Sequence, residues 1–339
     1  MADYKAIKGH NIQTVAGDPG TITLGDIWYS NITKKIRIGK TQAASWATGG
    51  NLNTGRYAHS AWGTLTAGLT TSGYAAGGSP YIQESEEYDG TSWTEGNNIN
   101  STHARAQQSG SMGTQTAAVI AAGRGPPGKI TAVEEYNGTS WAEVTDLPTA
   151  TERLAGLGTL TAGLTFGGTI ASAPPPDNAT VNAYEYNGTS WADAGDLVAN
   201  TRNMQGFGTQ TAGIGMGGIK AAAPSGYVLY AETYDYDGTT WTDASADLGT
   251  ARYEGASAGT VSTLGLIAGG GTGTSPYKDE VETYDGTSWT EAADISSIRA
   301  AHTGAGTGTS AFITGGLDGI NTTEEWTGES AIAATVTSS

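Results

Sequence analysis

The chain has 339 residues, a formal net charge of −17 and no cysteine. The acidic balance disfavours nucleic acid and anionic membranes as partners, and the lack of cysteine excludes disulfides, thiolate metal sites and a cysteine nucleophile. The 52 glycines and the low charged fraction of 14% favour many short strands joined by tight turns, because glycine reaches positive φ at little steric cost.

The start of the chain predicts cytoplasmic synthesis without a secretory signal peptide. It contains Asp3, Lys5 and Lys8 but no apolar run of the roughly seven residues that such a signal needs. No apolar stretch of the roughly 18 residues needed to span a bilayer occurs anywhere in the sequence, which predicts that the chain is not inserted in a membrane.

Residues 1–40 lie outside any repeat and contain one predicted hairpin. Apolar and polar residues alternate over residues 25–31 and again over 34–39, which is typical of two paired strands. A hairpin of this size is not stable alone, so we expect it to attach to the rest of the chain or to another protein. The candidate attachment residues are Ile27, Trp28, Tyr29, Ile36 and Ile38.

A six-residue pattern, Tyr-Asp/Asn-Gly-Thr-Ser/Thr-Trp, recurs along the chain. Its copies begin at Tyr88, Tyr136, Tyr186, Tyr236 and Tyr284. Asp-Gly or Asn-Gly between β-prone residues favours a two-residue type I′ turn, whose twist matches that of the flanking strands. Each copy therefore predicts a strand, a tight turn and a second strand.

A fixed order of features separates successive copies. An arginine is followed by a Gly-Thr turn, an apolar strand that usually ends in Gly-Gly, and an acidic-aromatic strand that leads back to tyrosine. The arginines are Arg56, Arg105, Arg153, Arg202, Arg252 and Arg299. Each period of roughly fifty residues is therefore predicted to hold four strands, which we call a, b, c and d in chain order.

The two ends of the repeat region are incomplete in complementary ways. The segment around Trp46 has the pattern of a strand d with no a, b or c before it, whereas the last unit, from Arg299 to Trp326, lacks a strand d. Joining them predicts an all-β fold, a six-bladed β-propeller over residues 41–328 closed by an N-terminal strand, which removes exposed sheet edges. Residues 1–40 are then a β-hairpin extension, and 329–339 are a tail that is either a flexible end or an added strand.

The order Arg, Gly-Gly, Tyr-Asp, Trp resembles the kelch motif over residues 41–328, and this resemblance implies a kelch-type propeller. The short Asp/Asn-Gly turn before the tryptophan and the recurrent Gly-Thr-x-Thr-Ala-Gly hairpin depart from the usual kelch pattern. The repeats are nearly identical in sequence to one another, and in this respect the chain resembles kelch-like structural proteins of tailed, particularly marine, bacteriophages. The stretch Gly-Asp-Ile-Trp-Tyr-Ser-Asn from Gly25 is also similar to a short element near the ends of phage tail and fibre proteins.

The six arginines are the candidate binding residues. In kelch folds, the d–a connections that contain them share one face with the b–c loops, and those loops vary most in this chain, from a short one after Gly316 to the long, proline-containing residues 171–182. Variable loops on a uniform scaffold usually determine binding specificity, so the arginine-bearing face is predicted to bind a partner. The structural alternative is that each arginine caps carbonyl groups of an adjacent blade.

Other repeated side chains are interpreted as architectural. The tryptophans from Trp46 to Trp289 are predicted to pack between blades rather than to stack on sugars. His59 and His302 occupy the same repeat position and form no metal-ligand spacing, so no metal and no cofactor is predicted. The acidic pairs at 86–87, 134–135 and 324–325 are interpreted as a solvated outer strand, with calcium binding as the alternative.

These features favour a non-enzymatic virion component, in the tail, a fibre or the particle surface. Its expected partners are other virion proteins and a host surface glycan or receptor, and formation of a homo-oligomer is left open. The alternatives are an intracellular kelch adaptor that binds a peptide and, less favoured, a glycosidase-like enzyme. Kelch-fold copper oxidases are excluded because they use a cysteine-crosslinked tyrosine and this chain has no cysteine.

Overall fold

The computed structural model describes residues 12–77, 81–100, 110–125, 128–171, 178–222, 226–273 and 276–336. These residues are built from β-strands without an α-helix, as the composition predicted, and contain one 3-10 turn at Leu317–Gly319. The chain divides into two compact units. Unit 1 consists of Met1–Ser45 together with Gly328–Ser339, and unit 2 consists of Trp46–Thr327.

Unit 1 contains one four-stranded sheet. Its strands lie in the order Gln13–Val15, Ile27–Ser30, Lys35–Gln42 and Ser330–Thr335. The two central strands form an antiparallel hairpin in which Ile27 faces Ile38. The tail, for which the sequence left two possibilities, pairs antiparallel with Lys35–Gln42 and is therefore a strand of this sheet.

Unit 2 contains six four-stranded antiparallel sheets among its described residues. We number the sheets along the chain and keep the letters a to d for their strands. The strands are Ser60–Thr64, Ala67–Thr71, Ser85–Tyr88 and Trp93–Glu95 in sheet 1; Gly110–Thr114, Ala117–Ala121, Val133–Tyr136 and Trp141–Glu143 in sheet 2; Ala155–Thr159, Ala162–Phe166, Ala183–Tyr186 and Trp191–Asp193 in sheet 3; Gln205–Thr209, Ala212–Met216, Thr233–Tyr236 and Trp241–Asp243 in sheet 4; Ala256–Val261, Leu264–Gly270, Lys278–Tyr284 and Trp289–Glu291 in sheet 5; and Thr303–Thr307, Ser310–Thr314, Thr323–Thr327 and Ser45–Thr48 in sheet 6.

Short two-stranded ladders extend the connections between strands. They pair Arg124–Gly125 with Gly128–Lys129, Thr151–Glu152 with Thr169–Ile170, and Ile219–Ala222 with Gly226–Leu229. The sheets contact one another in sequence through their first strands, and strand a of sheet 6 contacts strand a of sheet 1. The described part of unit 2 is thus a β-propeller-like arrangement of antiparallel sheets.

The repeated tryptophans lie between neighbouring sheets, as the sequence predicted. The rings of Trp62 in sheet 1 and Trp141 in sheet 2 are 5.8 Å apart, and Phe166 in sheet 3 lies 4.6 Å from Trp241 in sheet 4. The Trp141 indole also donates a hydrogen bond to Ser85 Oγ in sheet 1, at 2.9 Å. These four rings are buried against the neighbouring sheet, and burial of such large apolar surfaces is the main source of stability in such a fold.

The acidic pairs are not on a solvated outer strand, and that prediction is wrong. They lie on strand c, where the first carboxylate of each pair is buried: Glu86, Glu134 and Glu324 expose 1%, 0% and 4% of their surface. The second carboxylate accepts a hydrogen bond from the tyrosine of the next sheet. Tyr136 donates to Glu87 at 2.6 Å and Tyr186 to Glu135 at 2.7 Å. The pairs therefore link sheets.

The c–d turns also differ from the predicted type I′ geometry. In sheet 1, Tyr88 pairs with Trp93 and the amide of Asp89 donates to the carbonyl of Ser92, so that Gly90 and Thr91 are the central residues of the turn. Gly90 has a φ of 90°, whereas neither Thr91 nor Asp89 is among the residues with positive φ, and a type I′ turn would be centred on two such residues. The Asp89 carboxylate instead accepts the amides of Thr91 and Ser92, both at 2.8 Å, as in an Asx turn.

Candidate functional site

The two ends of the sheets in unit 2 carry different sequences. The a–b and c–d turns lie at one end, which we call the uniform face because its c–d turns repeat one Asx geometry. The d–a and b–c connections lie at the other end, since alternate strands are antiparallel. We call this end the variable face, because its connections differ in length and composition from sheet to sheet.

A chain of backbone hydrogen bonds joins the d–a connections at the variable face. Two residues before strand a, the backbone adopts a left-handed conformation at Ala58, Arg153, Asn203, Glu254 and Ala301, with φ between 52° and 61°. Successive members are linked: Asn203 donates to Arg153, Ala301 to Glu254 at 2.9 Å, and Ala58 to Ala301 at 2.7 Å. Because such residues fix the start of strand a, we call them the hinge residues.

Three of the predicted arginines occupy one equivalent position, two residues before the hinge residue. Arg56, Arg252 and Arg299 expose 0%, 1% and 2% of their surface. Arg56 donates to the carbonyls of Ser72 and Glu84 and forms an ion pair of 2.6 Å with Glu86. All these partners belong to the arginine's own sheet. The guanidinium therefore caps carbonyl groups, as the structural alternative held, but within its own sheet rather than an adjacent one.

The remaining arginines are not equivalent to these three. Arg153 is itself a hinge residue and Arg202 immediately precedes one, and both are half-buried. Thr151 and Thr201 take the place of the buried arginine. The spacing in the sequence carries this signal, because Arg56 lies seven residues before the glycine of its Gly-Thr pair, whereas Arg153 and Arg202 lie five and six residues before theirs. Arg105 lies outside the described residues.

The carboxylate partner changes together with the arginine. Sheets 3 and 4 have tyrosines, Tyr184 and Tyr234, at the strand c position that Glu86 occupies in sheet 1. Tyr184 is buried and its hydroxyl lies 3.1 Å from Thr149 Oγ1 and 3.0 Å from Asn182 Nδ2. Two alternative sets of polar contacts thus fill the same place in different sheets.

His59 and His302 follow hinge residues in sheets 1 and 6 and are buried at 3% exposure. Burial lowers the pKa of both imidazoles well below the usual value, and the charges of Arg56 and Arg299, respectively, lower these pKa values further. Both residues line a cavity of about 230 Å³ between the first strands, together with Trp62, Met112 and Phe207. The histidines are therefore neutral at pH 7 and belong to the packing around this cavity.

A strip of three tyrosines crosses the variable face of sheet 1. Tyr57 bridges Tyr74, and Tyr74 bridges Tyr81, as antiparallel partners. Their ring centroids are 5.3 Å and 5.1 Å apart, and all three side chains are half-buried. We call these residues the tyrosine strip. It lies outside the repeat consensus, so a comparison of the positions at which the repeats differ would have found it.

A group of cationic side chains lies beside the tyrosine strip. Arg124 and Lys129 belong to one short ladder, and the hydroxyl of Tyr81 donates to the carbonyl of Gly125 within that ladder, at 3.4 Å. Arg124 Nη1 lies 3.0 Å from Glu152 Oε2, and the Arg124 side chain is 42% exposed. Burial lowers the pKa of Lys129, and the neighbouring charges of Arg124 and Arg153 act in the same direction.

The predicted attachment residues of unit 1 differ in their exposure. Trp28 is buried at 3% and its indole donates to Asp18 Oδ1 at 3.2 Å, so its side chain packs within this unit. Ile27, Tyr29 and Ile38 are half-buried, and Ile36 is 41% exposed. Further exposed apolar residues of this unit are Leu24, Ile32 and Val336.

Within the described ranges, no group of three or more His, Cys, Asp or Glu side chains is placed to hold a metal ion. No helix among those residues is long and apolar enough to cross a membrane. Comparison with protein-family models and with curated proteins gave no match. The geometry therefore defines a class, an all-β protein with a β-propeller-like fold and one variable face.

Proposed function

We propose that the chain is a non-enzymatic component of a tailed-bacteriophage particle, in which a six-bladed kelch-type propeller presents its variable face to a partner. The observation that carries the partner-binding role is the contrast between the two faces. One is built from repeated Asx turns, and the other has connections that differ in length and composition from sheet to sheet. Variation confined to one rim of a repeated scaffold is typical of a binding surface.

Two recurring contacts support a ring closed by the strand Ser45–Thr48. Tyr88 in sheet 1 donates to Glu325 in sheet 6, which repeats the contact of Tyr136 with Glu87 between sheets 2 and 1. Trp46 donates to the carbonyl of Ala293, at 2.9 Å. This contact repeats that of the strand d tryptophan Trp191 with the carbonyl of Thr145.

Unit 1 is the proposed attachment element for other virion proteins. It exposes Leu24, Ile32, Ile36 and Val336, with relative exposures between 41% and 70%. Exposed apolar side chains gathered on a small element are typical of a protein interface. This role agrees with the resemblance of its hairpin to an element of phage tail and fibre proteins.

An enzymatic role is less favoured by the arginine geometry. A sialidase-type site needs arginines that converge on one substrate carboxylate, whereas Arg56, Arg252 and Arg299 each bind a glutamate of their own sheet at 2.6 Å. A guanidinium already paired in a buried site has little capacity left for a ligand. The intracellular adaptor remains the second candidate, because its peptide would use the same variable face.

The attachment role is tested by quantifying the chain in purified particles by mass spectrometry. The substitution Ile36→Asp places a charge on the exposed face of unit 1, and Val198→Asp, at a residue that is 52% exposed in unit 2, is the matched control. We expect Ile36→Asp to reduce incorporation and Val198→Asp to leave it unchanged. Absence of the wild-type chain from the particles would overturn the proposal.

A further inference from the structure

We infer that the tyrosine strip and the adjacent side chains of Arg124 and Lys129 form a binding site for a saccharide that carries carboxylate groups. This inference rests on the proposed partner-binding role of the variable face. It specifies where on that face the ligand binds and to which chemical class the ligand belongs.

The tyrosine strip has the chemistry that a sugar ring requires. Tyrosine offers an apolar ring to the C–H groups of a sugar and a hydroxyl to its polar edge. Tyr57, Tyr74 and Tyr81 lie in bridge register with their rings 5.1 to 5.3 Å apart. Because the backbone bridges fix these rings before any ligand arrives, little side-chain entropy is lost on binding.

The charge beside the strip favours an anionic ligand. Arg124 pairs with Lys129 in one ladder, and Glu152 is the carboxylate beside them, 3.0 Å from Arg124. Arg153, the next residue after Glu152, adds its positive charge near Lys129, in a chain whose net charge is −17. The site is thus a local concentration of positive charge on an acidic protein. A carboxylate approaching any other acidic part of the surface would be repelled.

Arg124 is the side chain best placed to bind a carboxylate. Its own partner, Glu152, is only 7% exposed, whereas the Arg124 side chain is 42% exposed, so the guanidinium keeps donors on its solvent side. An arginine can bind a carboxylate with two parallel hydrogen bonds. The buried Arg56, Arg252 and Arg299 do not have this access to solvent.

The opposite end of the strip sets the direction in which the ligand lies. The Gly316 amide donates to the Arg56 carbonyl at 2.9 Å, which brings the turn that contains the exposed Asp318 next to Tyr57. Burial raises the pKa of Tyr57, and the negative charge of Asp318 raises it further. A ligand carboxylate is therefore repelled near Tyr57 and attracted near Arg124. The sugar ring would lie on the strip with its carboxylate toward Arg124.

The test is binding of the full-length chain to an array of saccharides that includes uronate-containing and sialate-containing members and their neutral counterparts. The affinity for the best carboxylated member is then measured by calorimetry for the wild-type chain and its variants. We expect a carboxylated saccharide to bind and its neutral counterpart to bind roughly tenfold or more weakly, since a charge-assisted pair is lost.

Two variants on the site and two matched controls locate the binding. Arg124→Gln and Tyr74→Ala are each expected to weaken binding about tenfold or more, whereas Lys278→Gln and Tyr277→Ala, which alter half-exposed and exposed residues of sheet 5, leave it unchanged. Arg124→Gln is on a half-exposed side chain, so it tests the site even if Tyr74→Ala does not fold.

Three results of the saccharide measurements would overturn the inference. They are an array without any carboxylated binder, equal affinity for the neutral counterpart, and an affinity that Arg124→Gln does not change. Recognition of a host protein after its glycans have been removed would also contradict it. Since particle incorporation is measured separately, normal incorporation without saccharide binding would reject this inference and leave the proposed virion role intact.

Discussion

Arg56 Nη2 lies 2.6 Å from Glu86 Oε1 inside sheet 1, with both side chains excluded from solvent. The second oxygen of Glu86 accepts the backbone amide of Asn53, also at 2.6 Å. The pair therefore connects the d–a segment to strand c and holds the variable face in place. In sheets 3 and 4, a threonine takes the position of Arg56 and a tyrosine takes the position of Glu86. The sheets therefore fill the same two buried positions with either of two residue pairs.

Removing one member of the pair should be costly, whereas exchanging both should be tolerated. Arg56→Thr leaves Glu86 buried without its cation and is expected to lower the free energy of unfolding by about 3–5 kcal/mol. The double substitution Arg56→Thr with Glu86→Tyr copies Thr151 and Tyr184 of sheet 3 and should recover more than about 1 kcal/mol of that loss. Urea unfolding of the single and double variants measures this coupling. If the two substitutions lowered the free energy of unfolding in a strictly additive way, the two residue pairs would not be equivalent.

The contact between neighbouring sheets through tyrosine and glutamate should contribute measurably to stability. Tyr136→Phe removes the hydroxyl that donates to Glu87 at 2.6 Å and keeps the ring. We expect a loss of about 1.5–3 kcal/mol, as for hydrogen bonds to charged groups, measured by urea unfolding. Tyr277→Phe, at a residue that is 38% exposed, is the control and should change little. Equal effects of the two substitutions would mean that the contact adds nothing.

Acid should destabilise unit 2 through its two buried histidines. Burial and the neighbouring arginines lower the pKa of His59 and His302 in the folded state, whereas the unfolded value is about 6.5. The contribution of the two neutral histidines to the free energy of unfolding is therefore complete above about pH 6.5 and is lost as the pH falls below that value. Denaturant unfolding should show that the free energy of unfolding decreases between pH 7.5 and pH 5. We expect this decrease to be smaller in His59→Gln than in the wild-type chain.

Glu254 acts in the opposite direction. Burial raises the pKa of its carboxyl, although Arg153 and Arg202 oppose the shift, so its contribution is present at low pH and is lost as the pH rises through the folded value. The variant His59→Gln in a Glu254→Gln background separates the two effects. A pH dependence unchanged by both substitutions would contradict the assignment to these residues.

Closure of sheet 6 by the start of the chain should be visible at Trp46. Its ring lies 5.1 Å from that of Trp326 and its indole donates to Ala293. Trp46→Ala is expected to destabilise the protein by about 2 kcal/mol or more through lost packing. Hydrogen exchange should accelerate first in Thr323–Thr327, the neighbouring strand. Uniform acceleration throughout unit 2, or none, would argue against a closing role for this strand.

The repeat predicted the strands well because every period has nearly the same residues at its strand and turn positions. The tryptophan and tyrosine positions therefore gave both the strand order and the packing between sheets. The roles of the charged side chains were harder to predict, because a glutamate such as Glu86 looks solvated in a sequence until its buried arginine is known. The candidate site was harder still, since Tyr57, Tyr74 and Arg124 come from separate connections that only the fold brings together.

The central claim, a particle component that attaches through unit 1 and displays its variable face, is tested most directly by single-cysteine labelling of purified particles. The chain has no cysteine of its own, so Ile36→Cys in unit 1 and Asp318→Cys on the variable face each create one labelling site. We expect both variants to react with a maleimide as free protein, but only Asp318→Cys to react in intact particles. Labelling of Ile36→Cys with protection of Asp318→Cys, or particles that lack the chain, would contradict the account.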